Sequence, residues 1–329
     1  MSFKVVTDST CNLPVNIIER EDITIVPFYF YPADNSEEQM VCLDIENFNA
    51  KEYYDSIRNG KMYNTSQVVP QNYYDVISKL TEEGHDIIIL TMSSGISGTF
   101  NSSMIAKSML EEDYPERKIF CVDTLGAGGG QGLLTMKAAE YSRQGLTAEE
   151  AYDKLLIDVK KLYQLFTVDD LKHLHRTGRL SNVAALVGSV LQVKPLLIGN
   201  ENGKIVSTEK MRGFGKAIRA MAEKYNSLAV DPTEQTVIIA NADNVDGMEN
   251  LVKLISETNP PKELIKVSFD PATGSHVGPG SLAIFFMGNE DVRKQQGPLT
   301  AIASKVQNAA ETIPGKLEQL PFYKGKDKQ

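Results

Sequence analysis

The chain has no tryptophan, and only three cysteines and four histidines among its 329 residues. Cys11, Cys42 and Cys121 are odd in number, widely spaced and form no CxxC pair. That argues against a disulfide framework or a thiolate zinc site and fits a reducing compartment. His85, His173, His175 and His276 are scattered with no HExxH pair, so no metal site is expected. No apolar run approaches the ~18–20 residues that span a bilayer. The longest candidates are 87–90 and the glycine-broken stretch 183–193. The N-terminal MSFKVVTDST has no apolar h-region, which predicts no signal peptide. These absences lead to the expectation of a cytoplasmic protein without stable membrane insertion.

Basic charge is also short. The formal net charge is −9, and non-specific nucleic-acid binding needs phosphate neutralisation, so no nucleic-acid partner is expected. The deficit is uneven: residues 1–165 carry 25 acidic against 14 basic side chains, and residues 166–329 carry 18 against 20. Nucleotide-binding signatures are missing too. In VDTLGAGGGQGLL at 122–134, GxGxxG spacing would need glycine at Gln131 or Leu133, and no GK[ST] follows. Close backbone approach or a sharp strand-to-helix turn explains these glycines better.

What is present is an alternation of strands and helices. FKVV at 3–6, DIIIL at 86–90 and KIFCVD at 118–123 read as buried strands, with helical periodicity after Pro70 and from about Gly130 to Gln144. Strands separated by helices of this length imply a parallel sheet covered on both faces. Residues 22–45 interrupt the pattern as a hairpin-like excursion with an acidic, turn-rich tip. The second half differs. Asn202-Gly203 between PLLIG and KIVST is a strong hairpin signal. Two amphipathic helices and the strands 236–241, 264–269 and 281–286 complete a mixed α/β unit, and KGKDKQ at the C-terminus reads as a solvated tail. The expected architecture is two α/β domains, 1–163 with a parallel three-layer α/β/α core and 164–329 with a mixed sheet.

The loops at strand ends carry the chemistry. TMSSGISGTFNSSM at 91–104 joins a strand to a helix and offers hydroxyls, Gly95 and Gly98, and a helix N-terminus, which together suit an anion. His276 lies between two strands in ATGSHVGPGSL, where glycines and Pro279 predict a rigid, exposed turn presenting an imidazole. Arg176 and Arg179 flank Gly178 and can clamp a carboxylate or phosphate. Arg212 is a further cation of the less acidic half. Lys210 and Lys216 read as solvated surface charge.

Taken together, VTDSTCNLP at 6–14, NTSQ at 64–67, SSGISGTFNSS at 93–103, VDT at 122–124, RTGRLS at 176–181 and GSHVGPGSL at 274–282 resemble the DegV family of bacterial fatty-acid-binding proteins. The resemblance implies a two-domain α/β fold with one long-chain fatty acid buried between the domains and no other cofactor. Carried over by motif, the carboxylate pocket comprises Thr65, Ser93, the backbone around Ser94 and Gly95, and His276. Arg176, Arg179 and Arg212 are the candidate contacts to the head group or the partner. The family's members are non-enzymatic carriers. They present the carboxylate to a kinase related to dihydroxyacetone kinases, and the resulting acyl phosphate feeds phospholipid synthesis. This chain departs from the family pattern at Val68-Val69 before Pro70, at Thr177 ahead of Gly178-Arg179, and at Gly128.

Two other classes compete. TMSSG at 91–95 is one residue from a GxSxG elbow, and Ser93, Asp123 or Asp243, and His276 follow the α/β-hydrolase order, which would make a serine esterase or thioesterase. A lipid-sensing regulator would keep the pocket and lack the kinase.

Overall fold

The computed structural model describes residues 3–180, 193–289 and 293. The apolar stretch 183–192 and the KGKDKQ tail therefore lie outside the described residues.

The first half runs β1 (Lys4–Asp8), α1 (Val15–Arg20), β2 (Ile23–Val26), β3 (Tyr29–Pro32), β4 (Met40–Val41), α2 (Ala50–Arg58), β5 (Tyr63–Ser66), α3 (Pro70–Glu82), β6 (Ile87–Thr91), α4 (Thr99–Asp113), β7 (Ile119–Asp123), α5 (Gly129–Arg143) and α6 (Ala148–Lys161). Strands β2-β1-β6-β7 form an all-parallel sheet. Every residue of β6 is buried, as a strand covered on both faces requires. Helices α3 and α4 pack together on β6, and α5 and α6 also pair against that sheet, so the three-layer expectation holds.

The excursion at 22–45 is not one hairpin. β2 joins the parallel sheet beside β1, and only β3 and β4 leave it, forming a small antiparallel sheet in the order β4-β3-β5. ITIV packs by its apolar character at the sheet edge, whereas the polar tip at 33–39 is almost wholly exposed.

The chain passes to the second sheet between Lys161 and Leu162. It continues with β8 (Leu162–Thr167), α7 (Lys172–Arg176), β9 (Val193–Gly199), β10 (Ile205–Arg212), α8 (Phe214–Leu228), β11 (Thr236–Asn241), α9 (Val245–Ser256), β12 (Glu263–Ser268), α10 (Pro271–Val277) and β13 (Leu282–Met287). This mixed sheet has the order β10-β9-β8-β13-β11-β12, with only β11 and β12 parallel. Asn202-Gly203 turns β9 into β10, with Gly203 at φ +66°.

Period-two alternation divides the strands of this sheet between two faces. Leu282, Ile284 and Phe286 of β13, with Val237 and Ile239 of β11, join Tyr225 and Leu251 in a core under α8 and α9. Ala283, Phe285, Ile238 and Ala240 point the other way, into the core that also holds β1, β6 and α5. Helix α5 thus packs on both sheets. Its glycines permit this: a Cβ at Gly129 would stand 2.7 Å from both Ile238 and Phe285, and one at Gly132 would stand 2.5 Å from Cys11 O. The glycine-rich turn serves close packing.

Candidate functional site

Between the sheets lies a cavity with about 850 Å³ of space free of protein atoms, its mouth included. Phe28, Met92, Ile96, Leu125, Phe166, Phe269, Ala283 and Phe285 supply an apolar wall. Thr65, Arg179 and His276 line this cavity and also a second cleft shared with Tyr31, Asn64, Arg176 and Thr177. The two spaces meet at those three polar residues.

Each is held by local structure. Thr65 sits on β5 opposite Phe30 of β3. His276 is on α10, whose first turn is set by Asp270 as N-cap, accepting from Thr273 N at 3.0 Å, and by Pro271 just inside the helix. Two tyrosines of α2 anchor that helix: Tyr53 OH donates to Pro271 O at 2.7 Å and Tyr54 OH to Phe269 O at 2.9 Å. Gly274 is glycine because a Cβ there would collide with the Tyr54 hydroxyl. Arg179 follows α7, its Nη1 donating to Thr177 O.

Thr65 Oγ1 and His276 Nε2 are 3.0 Å apart, while His276 Nδ1 is buried without a partner. The exposed-turn expectation for His276 is thus corrected. The sequence before it, Asp-Pro followed by small residues, starts a helix, and packing against α2 and β5 leaves the ring only partly exposed. Burial, then the positive charges of Arg179 and Arg176, push its pKa down to about 3. The imidazole is therefore neutral near pH 7 and able to donate one hydrogen bond and accept another.

The 93–95 loop is arranged differently. Ser93 is buried, and its Oγ donates to Gly203 O at 2.9 Å and accepts from Gly95 N at 3.0 Å. Ser94 is exposed, and its N–H donates to Asp123 Oδ1 at 3.1 Å. Gly95 lets the β9–β10 turn approach, since a Cβ there would stand 2.6 Å from Asn202 O. These donors are satisfied within the protein and adjoin the cavity through Gly203, whereas Met92, Ile96 and Ser97 of the same loop line it directly. Thr65, His276, Arg176 and Arg179 are brought together. Arg212 ends β10, exposed, and lines neither space.

This arrangement bears on the hydrolase alternative. The hydroxyl proton of Ser93 goes to a backbone carbonyl, and the His276 ring bonds Thr65. Asp123 holds the backbone N–H groups of Ser94 and Leu125. The nucleophile–base–orienter chain that a serine hydrolase requires is not assembled. Among the described residues no His, Cys, Asp or Glu cluster could hold a metal ion, and no helix is long and apolar enough to cross a membrane.

Several residues that shape the site carried no motif. Gln164 of β8 donates from Nε2 to Leu125 O at 3.0 Å and accepts from Ala127 N at 2.8 Å, clamping the β7–α5 loop against the cavity. Its position on the inward face of β8 was the available signal, since a polar residue there needs partners. Tyr53 and Tyr54 were equally silent, because their hydroxyl acceptors lie more than 200 positions away.

An apolar cavity between two α/β lobes thus meets, at a neutral Thr–His pair, a cleft lined by two arginines. The chain belongs to the DegV family. The family model, described as "Uncharacterised protein, DegV family", matches residues 2–289. A DegV domain-containing protein of Clostridium perfringens is 37% identical over 287 residues, covering 87% of this chain and 98% of that protein. Among solved structures, DegV of Bacillus subtilis, a fatty acid binding protein, is 29% identical with a TM-score of 0.76, covering 88% of this chain and 100% of that one. A DegV family protein of Thermus thermophilus, solved for its fatty acid binding, is 25% identical with a TM-score of 0.78 over the same shares.

Proposed function

We propose that this chain binds one long-chain fatty acid in the inter-sheet cavity and presents its carboxylate, at Thr65 and His276, to a separate kinase. The observation that carries the reading is the junction of an apolar cavity with a cationic cleft at Thr65, Arg179 and His276. Solved relatives named for fatty acid binding support it.

The physics divides the work between the two ends. An acyl chain gains about 0.8 kcal/mol per buried CH₂, so the apolar wall dominates affinity. The head group needs hydrogen bonds, not burial. With the imidazole neutral and bonded to Thr65, the pair keeps one free donor, the Thr65 hydroxyl or the His276 Nδ1–H according to the tautomer, and the positive charges of Arg176 and Arg179 favour the ionised carboxylate. Ionised carboxylate is the nucleophilic form that phosphoryl transfer requires. Arg176 is exposed on the cleft side, where an incoming phosphate-bearing partner would meet a cation. The acyl phosphate so formed would serve phospholipid synthesis, and the carrier itself would reside in the cytoplasm and perform no chemistry.

Denaturing the purified protein and analysing its extract by mass spectrometry should release about one fatty acid per chain. A lipid-free extract from folded protein that also fails to take up added palmitic acid would overturn the reading. Addition of ATP and the cognate kinase should then convert the bound acid to acyl phosphate. Binding without conversion by any such kinase would leave a lipid sensor as the better account.

A further inference from the structure

Residues 290–329 lie beyond the stretch matched by the family model, and Arg293 is the one described residue among them. It is 5% exposed. Its Nε donates to Leu162 O at 2.9 Å, Nη1 to Leu125 O at 3.0 Å and Nη2 to Thr124 O at 3.4 Å. A buried guanidinium is costly unless its donors are met. Here three carbonyls take three of its five N–H donors, and the Asp123 carboxylate supplies an attractive charge.

The fork spans two parts of the molecule. Leu162 opens β8 in the mixed sheet, whereas Thr124 and Leu125 belong to the loop that leaves the parallel sheet. Leu125 has φ +47°, a conformation that a bulky side chain holds only under constraint. The constraints are visible: its N–H donates to Asp123 Oδ1, and its carbonyl accepts from both Gln164 and Arg293. Leu125, so fixed, forms part of the cavity wall.

We propose that Arg293 is a positioning residue for the bound acyl chain: by holding the Leu125 carbonyl it fixes one wall of the cavity, and so sets how tightly acids of different length are retained. The inference rests on the fatty-acid reading above and adds to it a determinant from outside the family-matched part of the chain. A guanidinium serving only to plug the sheet junction would stabilise the fold without discriminating between acids.

The test uses the full-length protein and its Arg293→Met and Arg293→Lys variants, each loaded with myristic, palmitic or stearic acid. Release into excess phosphatidylcholine vesicles is followed for each acid. Arg293→Met is expected to release its acids about tenfold faster, a change in dissociation rather than association, and to flatten the differences among the three. Arg293→Lys, which keeps the charge but loses the fork, should lie between. A lowered melting temperature with the wild-type ratio of release rates would overturn the proposal, as would unchanged rates. Should Arg293→Met fail to fold, Arg293→Lys decides by the same ratio. Wild-type protein that retains none of the acids would overturn the fatty-acid reading itself and this inference with it. Retention by the wild type with an unaltered variant profile would overturn the inference alone.

Discussion

Among single residues, Asp270 makes the most consequential choice. It caps α10, the helix that carries His276, yet it is fully buried, with Oδ1 accepting from Thr273 N and Oδ2 unpartnered. Burial raises its pKa from 3.8 to about 7. A carboxyl whose folded pKa is raised favours the protonated native state. Its contribution is complete below the unfolded value and is lost as pH rises through the folded one. Asn keeps the capping oxygen and cannot ionise. Asp270→Asn should therefore match the wild type in melting temperature near pH ~4 and exceed it increasingly up to pH ~7, where the difference levels off. A difference independent of pH would show that Asp270 does not titrate in this window. The depressed pKa of His276 works in the opposite sense, destabilising the fold as pH falls below the range of a free imidazole. Comparing the variant with the wild type cancels that contribution, whereas the buried Asp8, whose pKa is raised as well, adds to the upward push on Asp270.

The decisive element is α5. Gly129 opens α5, so only part of the ~1 kcal/mol that Ala gains over Gly in a helix interior is available there. At Gly129 the gain meets an obstacle, because the new methyl would stand 2.7 Å from Ile238 and Phe285, both buried in the other sheet. Overpacking of this kind costs about 1–3 kcal/mol. Gly129→Ala should thus lower the urea midpoint without changing the slope of the transition. A stabilised variant would mean that the two lobes separate easily at this contact. Helix α6 shows the converse, a helix specified locally: Thr147 and Glu150 form a complete capping box.

For the molecule as a whole, the question is whether two sheets make two folding units. Exposed ion pairs between the lobes, Arg20 with Glu263 and Arg58 with Asp243, contribute little. The apolar core is another matter. One cluster runs from Val5 and Ile88 in the parallel sheet through Leu134 in α5 to Ile238 and Phe285 in the mixed sheet. Shared burial couples the lobes, so calorimetry should show a single transition with equal calorimetric and van't Hoff enthalpies. Two resolved transitions would contradict a common core. The same continuity explains how one cavity can be enclosed by both halves.

The alternation of strands and helices, the Asn-Gly hairpin at 202–203 and the polar character of the strand-end loops were all legible in the sequence. So was the kinship carried by the loop motifs, now matched over residues 2–289. Periodicity, turn chemistry and capping are properties of neighbouring residues, and the sequence by itself determines them. Less of the candidate site could be read. Thr65 and His276 were named from the resemblance, but their 3.0 Å contact joins residues 211 positions apart. Ser93 was named with them, and its hydroxyl instead meets Gly203, 110 positions away. Gln164, Tyr54 and Arg293 carried no motif at all. Which donors are spent on the protein's own carbonyls, and which remain to face the cavity, only the tertiary structure decided. A hydrogen bond is assigned by proximity in space, and proximity between distant segments is not a local property of the chain.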